Sequence, residues 1–229
     1  MKPILNRTLT LAVFFFTFYI MSAQAQKVVQ VKDEPRHLPV LLNKYVRVIN
    51  ATIEDEDTSF FHIHSIPSAF IFLTDVMYDD QKLGGEWKKA TSKKGYAWYS
   101  SFISGPATHR VAAPKNERIH AYDIEIVSGY EFTKTDNWQA LSADTLFDAD
   151  KCVAYRLELT AAEPSFVFSG RGPIVAVVVS GEEISISQPE FKSSSTLHEE
   201  DYGYVRPDLS TTLLLKKGKK ASLVLFEIK

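Results

Sequence analysis

Short runs rich in Val, Ile, Tyr and Phe recur along most of this chain, and turn-forming residues separate them. Examples are "YVRVINATIE", "SAFIFLTDV", "IHAYDIEIV", "PIVAVVVSG" and "ASLVLFEI", with turns such as "DEDTS", "KLGGE" and "PKNE". β-branched and aromatic residues favour strands, and frequent turn signals keep each strand short. Because no long amphipathic helix pattern is present, the sequence predicts an all-β sandwich or barrel.

The two halves of the chain resemble each other. When "SFFHIHSIPSAFIFL" is placed over "SFVFSGRGPIVAVVV", Pro67 falls on Pro173 without a gap. Near the end of each half, "KNERIHAYDIEI" lies over "KGKKASLVLFEI", so that Glu125 meets Glu227. A repeat of this length predicts a duplicated β domain. We expect a first copy over residues 26–128 and a second copy over residues 129–229.

The first 25 residues have the pattern of a secretory signal peptide. Two basic residues, Lys2 and Arg7, precede the apolar run "LTLAVFFFTFYIM", and Ala23 and Ala25 then fit a small-x-small cleavage site. An uncleaved anchor is the alternative, but the run is shorter than the roughly 20 residues that a membrane span needs. We therefore expect cleavage after Ala25, an exported (periplasmic or secreted) protein and no membrane span.

Charge and cysteine content limit the partners and the means of stabilisation. Without Lys2 and Arg7, the mature chain has 24 basic and 28 acidic residues, a net charge of −4. This mildly acidic balance gives no basis for binding nucleic acid or an anionic membrane. Cys152 is the single cysteine, so no intrachain disulfide can form and the fold depends on its core, for which 45% apolar residues suffice.

Two histidines occur two residues apart in the apolar run "SFFHIHSIPSAFIFL". Side chains at i and i+2 of a strand share a face, so His62 and His64 project together. Hydrogen-bonded core histidines are one interpretation. The second copy, however, has Phe168 and Gly170 at these positions, which shows that the strand does not require imidazoles. With His109 from a distant segment, the pair forms a candidate site for a divalent transition metal, namely Fe, Mn, Zn or Ni.

These segments resemble the two motifs of the cupin superfamily. "TSFFHIHSIPSAF" carries the His-x-His of the first motif, and "SGPATHRVAAP" carries Gly105, Pro106 and His109 of the second. Ser68 or Ala69 stands where the first motif has its Glu ligand, and Ala112 and Ala113 stand where the second often has Asn. The resemblance implies two tandem antiparallel jelly-roll barrels, with a three-histidine metal site in the first copy and a degenerate second copy.

Together with the export that the signal peptide predicts, the resemblance implies a metal-dependent enzyme of dioxygenase type that acts on a small molecule. The alternative is a non-catalytic binder of a sugar or another small molecule, and a homo-oligomer is compatible with either. No catalytic acid or base is assigned. Weaker candidates for the pocket are His120, Tyr122, Phe60, Tyr99, Tyr45 and Trp98. His37 is compatible with covering one mouth of the barrel or with an exposed loop.

Overall fold

The computed structural model describes residues 27–131, 140–191 and 193–229. The predicted signal peptide lies outside these residues. The first half contains a short 3-10 turn, Val31–Asp33, and ten strands: β1 Val28–Gln30, β2 His37–Leu42, β3 Val46–Ile53, β4 Phe61–His64, β5 Ser68–Phe72, β6 Val76–Lys82, β7 Trp87–Ser92, β8 Ala97–Ser100, β9 Ala107–Ala112 and β10 Ile119–Ile126.

The second half repeats this arrangement with one strand fewer among the described residues. Its strands are β11 Asp144–Asp148, β12 Cys152–Thr160, β13 Ser165–Phe168, β14 Ile174–Ser180, β15 Glu183–Gln188, β16 Ser193–Leu197, β17 Tyr202–Val205, β18 Thr211–Lys217 and β19 Lys220–Ile228. A second 3-10 turn covers Pro189–Phe191. The expected all-β fold is confirmed.

Each half forms two sheets in a jelly-roll arrangement. We call strands β1 to β10 the first barrel, with sheets β1-β4-β9-β6-β7 and β2-β3-β10-β5-β8. Strands β11 to β19 are the second barrel, with sheets β11-β12-β19-β14-β17 and β13-β18-β15-β16. Among the described residues, neighbouring strands pair antiparallel, except that β1 runs parallel to β4. Strand for strand, the order β3-β10-β5-β8 matches β12-β19-β14-β17.

The register of the two barrels agrees with the alignment of the two halves. The backbone N–H of Ile126 donates to Pro67 at 2.7 Å, and that of Ile228 donates to Pro173 at 2.9 Å. In the first barrel His62 pairs with His109 across β4 and β9. In the second barrel Phe168 pairs with Thr211 across β13 and β18. The residues that replace the histidines therefore occupy the corresponding places.

The interiors of the two barrels differ. The second barrel is filled by a large apolar core that includes Tyr155, Phe168, Ile174, Ile184, Leu213 and Leu223. The first barrel has a smaller apolar cluster, formed by Ile53, Phe72, Val76, Ala113 and Ile119. Other inner positions carry imidazoles and carboxylates, so a polar centre replaces part of the apolar packing.

The barrels pack against each other through one shared apolar cluster, which we call the inter-barrel cluster. It joins β3, β5 and β10 to β12, β14 and β19, and its buried members include Val48, Ile71, Ile124, Val177, Val224 and Phe226. These strands are buried on both faces, which explains continuous apolar runs such as "IVAVVV". Within the described residues, no helix has the length and apolar character needed to cross a membrane.

Candidate metal centre

Three histidines converge inside the first barrel, as their positions in the sequence predict. His62 and His64 lie on one face of β4, and His109 is the cross-strand neighbour of His62 on β9. The Nε2 atoms of His64 and His109 are 3.2 Å apart. One nitrogen from each ring lies within 4.8 Å of the other two. His62 and His64 are buried, and the side chain of His109 is 28% exposed.

Hydrogen bonds behind two of the rings turn their Nε2 atoms toward the common point. The Nδ1 of His109 lies 2.6 Å from Asp80 Oδ1, and the Nδ1 of His62 lies 3.0 Å from the Phe60 carbonyl oxygen. Carboxylates and carbonyls only accept hydrogen bonds, so both Nδ1 atoms carry the proton. Each Nε2 then presents a lone pair, which is the form that binds a metal.

The third ring, His64, has a buried carboxylate behind it. Its Nδ1 is 3.2 Å from Asp123 Oδ2, although the angle is not that of a hydrogen bond. Both oxygens of Asp123 are buried without a hydrogen-bond partner. A carboxylate in this position favours the proton on Nδ1, because an acceptor so close stabilises the N–H. The Nε2 of His64 therefore also carries a lone pair.

The arrangement fits a transition metal ion. Two lone pairs 3.2 Å apart repel each other unless a proton or a metal cation lies between them. Ligand nitrogens about 2.0–2.1 Å from an ion, at angles between octahedral and tetrahedral, are roughly 2.8–3.4 Å apart. The observed separation lies in that range. A small movement of each ring would place all three nitrogens around one ion, with further positions open.

Burial keeps the imidazole of His62 neutral. Burial lowers the pKa of His62 well below its ordinary value, and the neighbouring histidines act in the same direction. The loss of solvation disfavours the charged form of a histidine. Because only a neutral imidazole binds a metal, the ring is already in the required state at neutral pH.

The carboxylates of the first barrel lie behind or away from the histidines. Ser68, one of the two positions for the missing Glu ligand, is buried and donates its hydroxyl to the Ile66 carbonyl at 2.9 Å. Its cross-strand neighbour Glu125 forms a buried ion pair with Arg47. The metal would therefore be held by three histidines, and Asp80 and Asp123 would orient two of them.

Open space lies on both sides of the histidines. An inner cavity of about 120 Å³ reaches into the barrel, and an outer cleft of about 640 Å³ opens at the mouth. Phe70, Trp98 and the three-histidine centre contribute to the walls. Phe102, at a left-handed φ of 51°, stacks on His64 with ring centroids 5.7 Å apart. A non-glycine residue in that conformation is strained, and such strain is common at functional sites.

His120 and Tyr122, two of the weaker candidates for the pocket, make polar contacts with Glu200 and not with the three histidines. His120 faces the second barrel, where its Nδ1 is 2.8 Å from Glu200 Oε2, so its expected place beside the ligands is wrong. Tyr122 borders the inner cavity, but its ring belongs to the inter-barrel cluster and its hydroxyl donates to the Glu200 carbonyl at 3.0 Å. Alternation along β10 sends its odd-numbered residues, Asp123 among them, to the histidine side.

The aromatic candidates divide in the same way. Trp98 lines the cavity, whereas Tyr99, the next residue of β8, packs in the inter-barrel cluster. Tyr45 also packs there. The Phe60 ring is covered by Lys27 and Arg36, with the Lys27 Nζ 4.5 Å from the ring centroid, and it does not line the cavity. Phe60 contributes to the site through its carbonyl oxygen.

His37 is a fourth histidine of the interior. It lies on β2, is 5% exposed and lines the inner cavity, so an exposed loop position is excluded. Its ring meets that of His62 edge to face, with centroids 4.5 Å apart. Burial, with the nearby His64, lowers the pKa of His37 to about 3, which keeps the ring neutral.

Comparison with solved protein structures identifies the fold of the chain. No family model and no curated protein matches the chain. Among solved structures, AerE from Microcystis aeruginosa has a TM-score of 0.59 at 11% identity, over 86% of this chain and 98% of that one. A salicylate 1,2-dioxygenase from Pseudaminobacter salicylatoxidans has a TM-score of 0.56 at 11% identity, over 84% and 76%.

A third structure carries the name of the superfamily. The cupin 2 conserved barrel domain protein from Leptotrichia buccalis has a TM-score of 0.53 at 8% identity, over 84% of this chain and 88% of that one. Identities this low establish the fold and leave function to the site. The chain is therefore a two-barrel protein of the cupin fold.

Proposed function

We propose that this protein is an exported, metal-dependent enzyme of dioxygenase type that acts on a small molecule. The observation that carries the proposal is the convergence of one nitrogen from each of three imidazoles inside the first barrel, with the Nε2 atoms of His64 and His109 3.2 Å apart beside an open cleft. A salicylate 1,2-dioxygenase is among the proteins of similar fold, so the fold is compatible with this reaction class. The proposal allows Fe, Mn, Zn or Ni as the metal, because all four accept imidazole ligands.

The residues of the first barrel have separate tasks in this proposal. His62, His64 and His109 would hold the metal, which supplies Lewis acidity and open coordination positions when it is bound. Asp80 and Asp123 keep Nδ1 of His109 and His64 protonated, so that Nε2 stays available. Phe70, Trp98 and Phe102 surround the approach to the ion, where apolar walls limit water around the substrate.

Metal analysis and oxygen uptake test the proposal together. Protein purified from its native compartment should contain about one transition metal ion per chain. His62→Ala should lose most of that metal, whereas Phe168→Leu, at the corresponding position of the second barrel, should retain it. Oxygen uptake with a panel of thiols, phenols and sugars should then identify the substrate class. Equal metal content in wild type and a His62/His64 double variant would reject the proposal.

A non-catalytic binder of a sugar or another small molecule is the second candidate. The absence of a carboxylate ligand at Ser68 and Ala69 favours it, because the metal centre then has only three protein ligands. The two candidates separate in the same experiment. Bound metal and saturable ligand binding without oxygen uptake would support the binder, and oxygen uptake that depends on His62 would support the enzyme.

A further inference from the structure

The inner cavity of the first barrel is mostly apolar beyond the histidines. Its far wall consists of small and medium-sized apolar side chains from several strands, including Ile53, Phe72, Val111, Ile119 and Ala121. No Lys or Arg occurs among the described residues that line it. The cavity therefore offers no cation of its own to an anionic group, and a charged ligand group would have to bind at the metal.

The volume of this cavity limits the size of what it can hold. It measures about 120 Å³. An engineered apolar cavity of roughly 150 Å³ in another protein stays dry and binds benzene. The space behind the histidines is therefore suited to an apolar group of at most about one six-membered ring. Longer ligands would have to extend outward through the cleft.

His37 is a polar residue of this cavity that the three-histidine centre does not use. It is 5% exposed, and its Nδ1 is buried without a hydrogen-bond partner. It contacts His62, but it lies outside the group of three nitrogens that could share one ion. A buried ring nitrogen without a partner lowers stability, because the desolvated atom has lost its bonds to water. A bound ligand with a hydrogen-bonding group would restore them.

We propose that the inner cavity binds the apolar end of a small ligand, no larger than about one six-membered ring, and that His37 forms a hydrogen bond with the polar group of that ligand. The inference deepens the proposed function, on which it rests for the identity of the cavity as the substrate pocket. The expected substrate is a compact molecule in which one hydrogen-bonding group lies next to an apolar part. A large polar sugar does not meet this description.

Phenol and benzene test the proposal in metal-free protein, where catalysis and metal affinity play no part. Both probes should bind to the wild type, and phenol should bind more tightly by roughly three- to tenfold, as one hydrogen bond allows. His37→Leu should still bind benzene and should lose the preference for phenol. His198→Leu, which removes an exposed histidine of the second barrel, is the matched control and should behave as wild type.

A second variant tests whether the probes occupy this cavity. Ala121→Leu fills part of the space and should abolish binding of both probes. Should His37→Leu not fold, His37→Phe keeps a planar ring and tests the same loss of preference. Benzene that fails to bind to the wild type, or an unchanged preference for phenol in the His37 variants, would overturn the proposal. Oxygen uptake without selective phenol binding would reject this inference alone, and the reverse result would reject the enzyme alone.

Discussion

Glu125 and Glu227 are equivalent residues of the two barrels, and each is buried against an arginine. Glu125 pairs with Arg47, and Glu227 pairs with Arg171 and also accepts the backbone N–H of Gly172 at 3.1 Å. The arginines come from different places, since Arg47 lies on β3 and Arg171 precedes β14. The second barrel therefore has the equivalent buried ion pair, although Phe168 and Thr211 stand at the positions of His62 and His109.

Breaking the ion pair in the second barrel should destabilise the protein without changing the metal centre. Arg171→Met leaves Glu227 buried beside an apolar chain, and removal of one partner of a buried pair typically costs about 3–5 kcal/mol. The exposed pair Lys217–Glu182 provides the control, because Lys217→Met should change stability by less than about 1 kcal/mol. Urea denaturation measures both. An equal loss for the two variants would contradict the prediction.

Asp80 should control metal affinity through His109. Asp80→Asn removes the carboxylate that accepts the Nδ1 proton at 2.6 Å, and such changes typically weaken metal binding about 10- to 100-fold. Asp79→Asn is the matched control, because neighbouring residues of a strand point to opposite faces. Competition with a metal-binding dye gives both affinities. If the Asp79 variant loses as much affinity as the Asp80 variant, the assigned role of Asp80 is wrong.

Cys152 should be chemically inert until the protein unfolds. The thiol is fully buried, and burial, reinforced by the Glu227 carboxylate, raises its pKa well above the ordinary value. The folded protein therefore retains a proton that the unfolded chain loses above about pH 8.5, so this thiol lowers stability as pH rises past that value. Labelling with a thiol reagent at pH 8 should follow the unfolding transition, and rapid labelling of native protein would contradict this.

The first barrel should not be stable alone. A fragment of residues 26–128 would expose its side of the inter-barrel cluster, including Val48, Ile71 and Ile124. Apolar area returned to water costs roughly 25 cal/mol per Å². We expect aggregation or a much lower melting temperature, measured by light scattering and calorimetry. A fragment that is monomeric, as stable as the whole chain and able to bind metal would show that the second barrel has another role.

Export predicts the N-terminus of the mature protein. Cleavage after Ala25 should leave Gln26 as the first residue, since Ala23 and Ala25 fit the cleavage rule. N-terminal sequencing of protein from the native host measures this directly. Substitution of Ala25 by a bulky residue should block processing and leave a longer chain, whereas an intact Met1 in the wild type would reject the prediction.

The sequence predicts part of the three-histidine arrangement because that part of its signal is local. His62 and His64 are two apart on a strand, and that spacing alone places them on one face. The alignment of the halves also places Phe168 at the position of His62, which the strand pairing confirms. Both inferences need only strand periodicity and a repeat without gaps, which survive even when identity is low.

The residues that contact the three histidines could be identified only from the folded structure. Asp80 lies beside Asp79 in an ordinary polar strand, and nothing local separates the two. In "IHAYDIEI" both faces of β10 are buried, so the usual rule that polar residues face water has no meaning there. His120 and Asp123 could not be assigned to the correct barrel face for that reason. His37 precedes its partner His62 by 25 residues, and only the folded sheet brings the rings together.

Mutations at equivalent positions of the two barrels should have different effects in a cell, because apolar side chains fill the second barrel whereas the first barrel holds the three histidines. A missense change at Phe168 acts on the core, and so on how many molecules survive quality control and proteolysis. If the proposed function is correct, a change at His62 acts on what each surviving molecule can bind. A genetic screen that scored protein abundance alone would therefore find the second half of the chain and pass over the residues of the metal centre.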